Sequence, residues 1–261
     1  MSPPEPFVRR EDREGVARLT LNRPAQLNLL TGGMIAALQD ALDGIAGDGA
    51  VQVVVLAAEG RGFCAGHDLK EIRALGEAAE IEALFTRCSR MMQAIAGLPQ
   101  PVIARVHGAA AAAGCQLVAQ CDLAVASELA LFSTPGVNWG FFCSTPGVAV
   151  GRALHRKHAL EMLLTGETID ARKALQWGLV NRVAPAERLD EEVEALARAI
   201  AGKPPESVRA GKRAFHAQMA LGLGPAYALA GRVIAESFAH EEGREGMDAF
   251  IEKRAPRWRS K

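Results

Sequence analysis

Residues 51–58, VQVVVLAA, are almost continuously apolar and rich in β-branched valine. A run of this kind does not alternate in polarity, so it cannot lie with one face in water. It reads as a strand covered on both faces, the situation of a parallel sheet flanked by helices. The surrounding sequence supplies what such a strand needs. VRREDREGVARLTL reads as a hairpin that turns at DREG. Thr31 is placed to cap a helix in which Ile35, Leu38, Leu42 and Ile45 recur at helical spacing. GRGFCAGHD is a loop and LKEIRAL begins a helix. A longer helix is expected from Glu77 to Leu98, stopped by Pro99 and Pro101 ahead of the strand PVIARVHG; DLAVAS makes another short strand.

The last third changes character. In IDARKALQWGL, Asp170 is a helix N-cap and Gly178 the residue that ends the helix. Leu189, Val193, Leu196 and Ile200 place an apolar stripe on one helix face, and further helices are expected over 204–220 and 225–253. Strands and helices therefore alternate to about residue 150, and the remainder is mostly helical. This is an α/β core with a helical C-terminal portion able to close over a site or pack on a partner. The tetrapeptide STPG occurs at 133 and 144, read as two turns, and no repeat of solenoid length is present.

Composition removes several classes of function. The 261 residues carry 30 basic and 30 acidic side chains, so no charge excess marks a nucleic-acid or membrane-surface partner. Five cysteines, with no CxxC pair, argue against a disulfide scaffold or zinc ribbon and for a reducing, cytoplasmic setting. The opening MSPPEPFVRRED lacks the apolar run of a secretory signal. No uncharged apolar stretch reaches the ~18 residues of a membrane span.

Two Gly/Ala-rich loops follow strands, GFCAGHDL after 51–58 and GAAAAAGCQL after 102–106. Each can offer a backbone N–H at the start of a helix, where unpaired donors and the helix dipole favour negative charge. Two such donors aimed at one point make an oxyanion hole, suited to a carbonyl that becomes an enolate. Read without context, such a loop is more often a packing device that lets backbones approach than a catalytic feature. Neither fits a Walker A loop or a dinucleotide fingerprint.

Five segments, NRPAQLN, GRGFCAGHDLKEI, PVIARVHGAAAAAGCQLVAQCDLAVAS, ALEMLLTGETIDARKALQWGLVNRV and GMDAFIEKRAP, occur in that order. With them the chain resembles the crotonase, or enoyl-CoA hydratase/isomerase, superfamily over nearly its whole length. The resemblance implies an α/β spiral of ββα units with a helical C-terminal trimerisation region. Residues 1–195 would form the core and 196–261 the helical region of a single functional unit, assembled as a homo-trimer or hexamer. The ligand would be an acyl-CoA thioester, with coenzyme A part of the substrate and no separate cofactor or metal. The oxyanion donors fall on the backbone amides of His67 and Ala113, with Gly114 as the neighbour if the register slips. Ala65, Gly66, Asp68, Leu69 and Lys70 would line the pantetheine and adenine region. Arg23 and Ala25 fall where the NRP loop meets CoA, although the lysine often found at position 25 is absent. Phe250 and Lys253 match residues that close over the nucleotide.

The departures bear directly on chemistry. Hydratases of the family hold and activate water with two glutamates, and by motif register those positions are Gln116 and Gly136. An amide can orient water but exchanges no proton near neutral pH. Positioned acid/base groups are worth roughly 10²–10⁴-fold each, whereas a retained oxyanion donor is worth about 10²–10³-fold. The pocket is therefore expected to survive better than the proton chemistry. Asn138 and Trp139, beside position 136, read as acyl-pocket walls. Cys143 and Ser144 lie where other members shape that pocket, Cys143 as a small apolar filler. The His67 side chain is expected to point away from its backbone's hole, and Asp68 to cap the following helix. Cys115 and Cys121 read as core, His155 and His158 as solvated. Three functions stay open: an enzyme, nominally an enoyl-CoA hydratase or isomerase with its acid/base group unassigned; a non-catalytic acyl-CoA-binding module; or a different thioester reaction, decarboxylation or hydrolysis.

Overall fold

The computed structural model describes residues 5–258; the first four residues of the opening stretch read above for a signal lie outside it. Strands β1 (Val8–Arg13) and β2 (Val16–Leu21) pair antiparallel. The two residues between them, Glu14 and Gly15, both have positive φ, 52° and 78°. That turn matches the twist of a hairpin. Helix α1 (Gly32–Ala46) starts at Thr31, whose hydroxyl accepts the Met34 N–H at 3.2 Å. It buries Ile35, Leu38, Leu42 and Ile45 together with Met34. The apolar run becomes β3 (Val53–Ala58), buried at every position.

The next elements are β4 (Gly62–Cys64), α2 (Leu69–Leu75), α3 (Ala78–Gly97), β5 (Val102–Val106) and β6 (Ala109–Ala111). Then come α4 (Ala113–Gln120), β7 (Leu123–Ser127) and β8 (Leu131–Ser133). A 3₁₀ turn (Pro135–Trp139) leads to α5 (Ser144–Ala153), α6 (Arg156–Thr165), β9 (Ile169–Asp170), α7 (Ala171–Trp177) and β10 (Arg182–Ala184). The chain finishes with α8 (Leu189–Ala201), α9 (Pro205–Gln218), α10 (Leu223–Ala239) and α11 (Glu241–Ile251).

Two sheets result. The larger has the order β1-β2-β3-β5-β7-β10 and is parallel except at β1. The smaller has the order β4-β6-β8-β9 and is parallel except at β9. The chain passes from the large sheet to the small one three times, at β3→β4, β5→β6 and β7→β8, so each turn of the spiral adds a strand to both. The two faces of β3 show why its sequence does not alternate. Val54, Leu56 and Ala58 join the main core with α1 and α3, while Val53 and Val55 pack with Ile103 and Val125 against Leu189, Val193 and Ala197 of α8. Asp190 fixes α8 to the sheet by accepting from Arg105 Nε at 2.8 Å and Arg18 Nη2 at 2.9 Å.

Three sequence readings change. The boundary expected at 195/196 falls inside α8, which is a layer of the core; the C-terminal arm begins after Ala201. The helix expected over 225–253 breaks at His240, where φ −71° and ψ 155° are extended. There Gly243 lies so near α10 that a Cβ would be 2.0 Å from the Ser237 carbonyl oxygen. The second STPG opens α5 rather than making a turn. Asp170 and Gly178 do cap α7 as expected: Asp170 Oδ1 accepts the Lys173 N–H at 2.7 Å, and Gly178 has φ 90°.

The arm is held by a buried ion. Lys212 of α9 is 9% exposed, donates to the Ile95 and Gln100 carbonyls, and pairs with Asp122 at 2.6 Å. Asp122 also accepts the Val102 N–H at 2.7 Å, which ties the start of β5 to the same carboxylate. Burial lowers the Lys212 pKa from its ordinary value, and Asp122 opposes that shift. Asp122 Oδ1 also meets His216 Nε2 at 3.0 Å, so losing Lys212 leaves the carboxylate only partly compensated, at a cost near the low end of the ~3–5 kcal/mol for breaking a buried pair. Lys212→Met is therefore expected to lower stability by about 3 kcal/mol, read as a shift in the urea midpoint; a midpoint within error of wild type would contradict this account.

Candidate active site

The site is built where the loop after β4 meets the start of α4. Gly66 has φ +95°, and a Cβ there would lie 3.0 Å from Ala112 Cβ, 3.1 Å from the Ala111 carbonyl oxygen and 3.3 Å from Ala113 N. Gly114 sits closer still, since a Cβ would be 2.0 Å from the Cys64 carbonyl oxygen. The small residues in both loops thus let two backbones touch. The packing role expected of these loops is therefore present. Between them Ala112 has φ 49° and ψ −116°, a conformation L-residues rarely adopt, held at a cost of order 1–3 kcal/mol. Its N–H donates to the Ser133 carbonyl at 2.9 Å, which locks β8 to the same point.

Neither the His67 N–H nor the Ala113 N–H meets an acceptor among the described residues. For Ala113 this follows from its place at the first position of a helix. The loop carrying His67 is fixed from outside: the Leu30 N–H donates to the Gly66 carbonyl at 2.8 Å and the Ala65 N–H to Leu27 at 3.0 Å. Asn28, fully buried, donates to the carbonyls of Glu59, Gly62 and Phe63 and accepts the Arg23 N–H at 2.8 Å. Sequence reading singled out the NRP end of that segment and missed Asn28, the residue that holds the loop. Asp68 Oδ1 accepts the Lys70 N–H at 2.8 Å and caps α2, as expected.

The His67 ring packs on Phe85 of α3, with centroids 4.7 Å apart, and its Nε2 is buried without a partner. Burial pushes its pKa down to about 4, so the imidazole is neutral at pH 7. Gln116 is 4% exposed and its Oε1 has no partner; Thr134, fully buried, has an equally unpartnered Oγ1. Thr134 was not singled out in the sequence, where only the STPG echo touched it.

Position 136 is not the open space that a missing side chain suggests. A Cβ on Gly136 would lie 2.8 Å from both Cys143 Sγ and the Phe141 carbonyl oxygen, and the Gly136 N–H donates to Cys143 Sγ at 3.2 Å. Gly136 does not have positive φ; contact alone excludes a side chain. The Cys143 thiol is pushed up by burial, and those of Cys64, Cys88 and Cys115 reach about 12, so none is a thiolate at neutral pH. No cluster of metal-ligating side chains occurs among the described residues.

Other expected site residues lie further out. Asn138 is exposed and its Nδ2 leans on the Gly166 carbonyl at 3.5 Å, while Trp139 is 72% exposed; neither forms a wall in the single chain. Arg23 lies over the Phe7 ring at 3.9 Å and donates to the carbonyls of Glu5, Pro6 and Asn22, so its guanidinium is engaged with the N-terminal segment. Ala25, Leu69 and Lys70 are exposed. Phe250, near the end of α11, and Lys253, just past it, are exposed in the single chain. His158 is not simply solvated, because it stacks on Trp177 with centroids 4.4 Å apart.

A spiral that adds a strand to two sheets at each turn, followed by C-terminal helices, is the crotonase class of α/β fold. The chain belongs to the enoyl-CoA hydratase/isomerase family, whose model matches residues 11–261. Among curated relatives it is 47% identical over 254 residues to the Xenopus laevis protein named enoyl-CoA hydratase domain-containing protein 3, mitochondrial, covering 97% of this chain and 86% of that one. Among solved structures it is similar to an enoyl-CoA hydratase from Mycobacterium smegmatis, at TM-score 0.96 and 50% identity over 98% of this chain and 100% of that one. It is also similar to human enoyl-CoA hydratase domain-containing protein 3, at TM-score 0.93 and 43% identity over 97% and 100%.

The buried neutral imidazole gives a pH test of its packing. Its folded pKa, about 4, lies below the ordinary 6.5, so the unfolded chain takes up the proton first as pH falls. The contribution of His67 is complete above pH 6.5 and is lost as pH drops toward 4, by up to roughly 3 kcal/mol. His67→Gln is expected to flatten that part of the stability curve, measured by denaturant titration from pH 7.5 to 4.5. Parallel curves for variant and wild type would contradict it.

Proposed function

We propose that the protein binds acyl-CoA thioesters and polarises the thioester carbonyl between the amides of His67 and Ala113. The observation that carries this is the contact of the two loops, which leaves both donors without protein acceptors beside a strained Ala112. Membership in the enoyl-CoA hydratase/isomerase family supports the substrate class. The nominal reaction is hydration or isomerisation of an enoyl-CoA through an enolate-like state. Gln116 and Gly136 supply no general acid or base, so true hydratase turnover is expected to be very slow. Decarboxylation, which needs the hole and no base in its first step, is the reading that loss of both carboxylates favours.

A panel of acyl-CoAs incubated with the protein and analysed by mass spectrometry tests this. Turnover identifies an enzyme and its reaction, and binding without turnover identifies a module. Crotonyl-CoA hydration, if detected, is expected to be flat from pH 6 to 8, because no carboxylate stands at either position and His67 stays neutral there. A calorimetric titration with no acyl-CoA binding at millimolar concentration would end the proposal. Restoring both glutamates looks from sequence like a way to regain hydration, yet Gly136→Glu would drive a side chain into Phe141 and Cys143. Such overpacking costs about 1–3 kcal/mol, and the double variant is expected to lose stability without gaining a hydratase rate.

The C-terminal arm supports assembly as a homo-trimer, or two trimers as a hexamer. Helix α10 buries no residue in the single chain, although Leu223, Tyr227, Ile234 and Phe238 are large and apolar, and Phe250 on α11 is 85% exposed. Patches of this extent are covered in a stable protein. Light scattering at micromolar concentration is expected to report a closed oligomer; a stable monomer would contradict it. Phe250 and Lys253 would then reach a neighbour's nucleotide. Five free cysteines suit a reducing compartment. The relatives' names place those proteins in mitochondria, so a strictly cytoplasmic location is not carried forward.

A further inference from the structure

A backbone donor is aimed by the other end of its own peptide. A trans peptide is planar, with its C=O and N–H pointing in opposite directions, and no cis peptide occurs among the described residues. The His67 N–H shares its plane with the Gly66 carbonyl. That carbonyl accepts the Leu30 N–H at 2.8 Å, and Leu30 stands opposite His67 in a single parallel bridge. The His67 N–H is therefore turned away from residues 27–30, toward the side on which it has no protein acceptor. A Cβ at Gly66 would lie 3.3 Å from Ala113 N, so this plane stands beside the second donor. The Ala113 N–H shares its own plane with the Ala112 carbonyl, which accepts the Gln116 N–H at 3.0 Å. Helix α4 thus holds one donor plane from within, whereas the other depends on a segment distant in sequence.

That segment has an anchor of its own. Leu27 and Asn28 have positive φ, 51° and 53°, in the turn that brings Leu30 back against the 62–67 loop. Asparagine tolerates this backbone. The Arg23 N–H on Asn28 Oδ1 turns the side-chain NH₂ toward the carbonyls of Glu59, Gly62 and Phe63, at 2.9, 3.2 and 3.2 Å. Those contacts set where residues 27–30 stand relative to the loop that carries the Gly66 carbonyl. From this we infer that Asn28 is a positioning residue which, through the Leu30 N–H, aims and strengthens the His67 donor. It is fully buried, so it acts through the loop. A peptide whose carbonyl already accepts a hydrogen bond is polarised, and its N–H becomes the stronger donor. The inference rests on the acyl-CoA reading above and deepens it by naming what orients the hole.

The test replaces single backbone amides by esters in the full-length protein. Leucic acid in place of Leu30 deletes the N–H that Gly66 accepts. The same exchange at Leu29 deletes the N–H that Gln26 accepts at 3.2 Å, a bond of the same segment that leaves the donor plane untouched. The readout is the infrared stretch of bound butyryl-CoA, isotope-labelled at the thioester carbonyl, which falls in frequency as donors polarise it. Calorimetry with free CoA, which has no acyl carbonyl, reports on the rest of the site. The Leu30 ester is expected to lose roughly half of the wild-type downshift, as when one of two donors is misaimed, with free-CoA affinity unchanged. The Leu29 ester is expected to keep the whole downshift. Asn28→Asp, of the same shape but with an oxygen facing three carbonyls, is expected to behave like the Leu30 ester; should it not fold, the two esters decide. A full downshift in the Leu30 ester or in folded Asn28→Asp would overturn the inference and leave the acyl-CoA reading standing. Equal losses in both esters would do the same, since a loosened segment would then explain them. A wild-type carbonyl no more shifted than in water, or no binding of any thioester, would overturn the reading and the inference together.

Discussion

The contact of the Cys64 carbonyl with Gly114 is the constraint on which the site depends. A Cβ at that glycine would stand 2.0 Å from the oxygen, so β4 and α4 can meet at this depth only across a hydrogen atom. Everything nearby is arranged around the meeting. Gly66 takes φ +95° against Ala111–Ala113, Ala112 takes a strained conformation, and Asn28 ties three carbonyls of the approaching loop. The alanine run that precedes Gly114 is the sequence trace of two backbones in contact. The strain at Ala112 persists because both sides over-determine it: Ser133 accepts its N–H, and Gln116 donates to its carbonyl.

Much of the fold was legible because it rests on local physics. The apolar run 51–58 became a strand with opposite faces in two cores, and the caps at Thr31, Asp68 and Asp170 each accept the backbone N–H that capping predicts. What could not be read was non-local. Nothing in a sequence pattern says that α8 covers the outer face of the sheet, or that His240 breaks a long apolar helix so that Gly243 can pass Ser237. Lys212 is another case. A lysine on an amphipathic helix reads as surface, and only its approach to Asp122 makes it a buried anchor.

The site was legible in part, and the limits are instructive. The two loops could be found because glycine and alanine leave a signature wherever backbones approach. Gln116 and Gly136 could be flagged only against an expected pair of carboxylates. Sequence alone suggested that position 136 was merely vacant, whereas Cys143 and Phe141 have closed on it. Such a filled position is a different physical state from a deleted side chain. The loop packs directly on the glycine, and the Cys143 thiol accepts its N–H. Arg23, likewise, is a basic residue at a promising position whose donors are already taken by three backbone carbonyls.

These observations bear on what kind of site the molecule holds. A pocket that had simply lost its catalytic carboxylates would be expected to relax toward an apolar core, since buried unpartnered polar atoms each cost on the order of 1–3 kcal/mol. Here the opposite is seen. Gln116 and Thr134 remain polar and unpaired, the imidazole of His67 stays neutral and buried, and strain is still held at Ala112. Polar atoms kept at such a cost beside two free amide donors suit a site whose hydrogen bonds are completed by a ligand. Neither Gln116 nor Gly136 can move a proton at neutral pH, so on the proposed reading what remains is a set of groups that bind and orient. On that reading, this arrangement suits chemistry that needs an enolate hole and a fixed orientation but no basic side chain at 116 or 136.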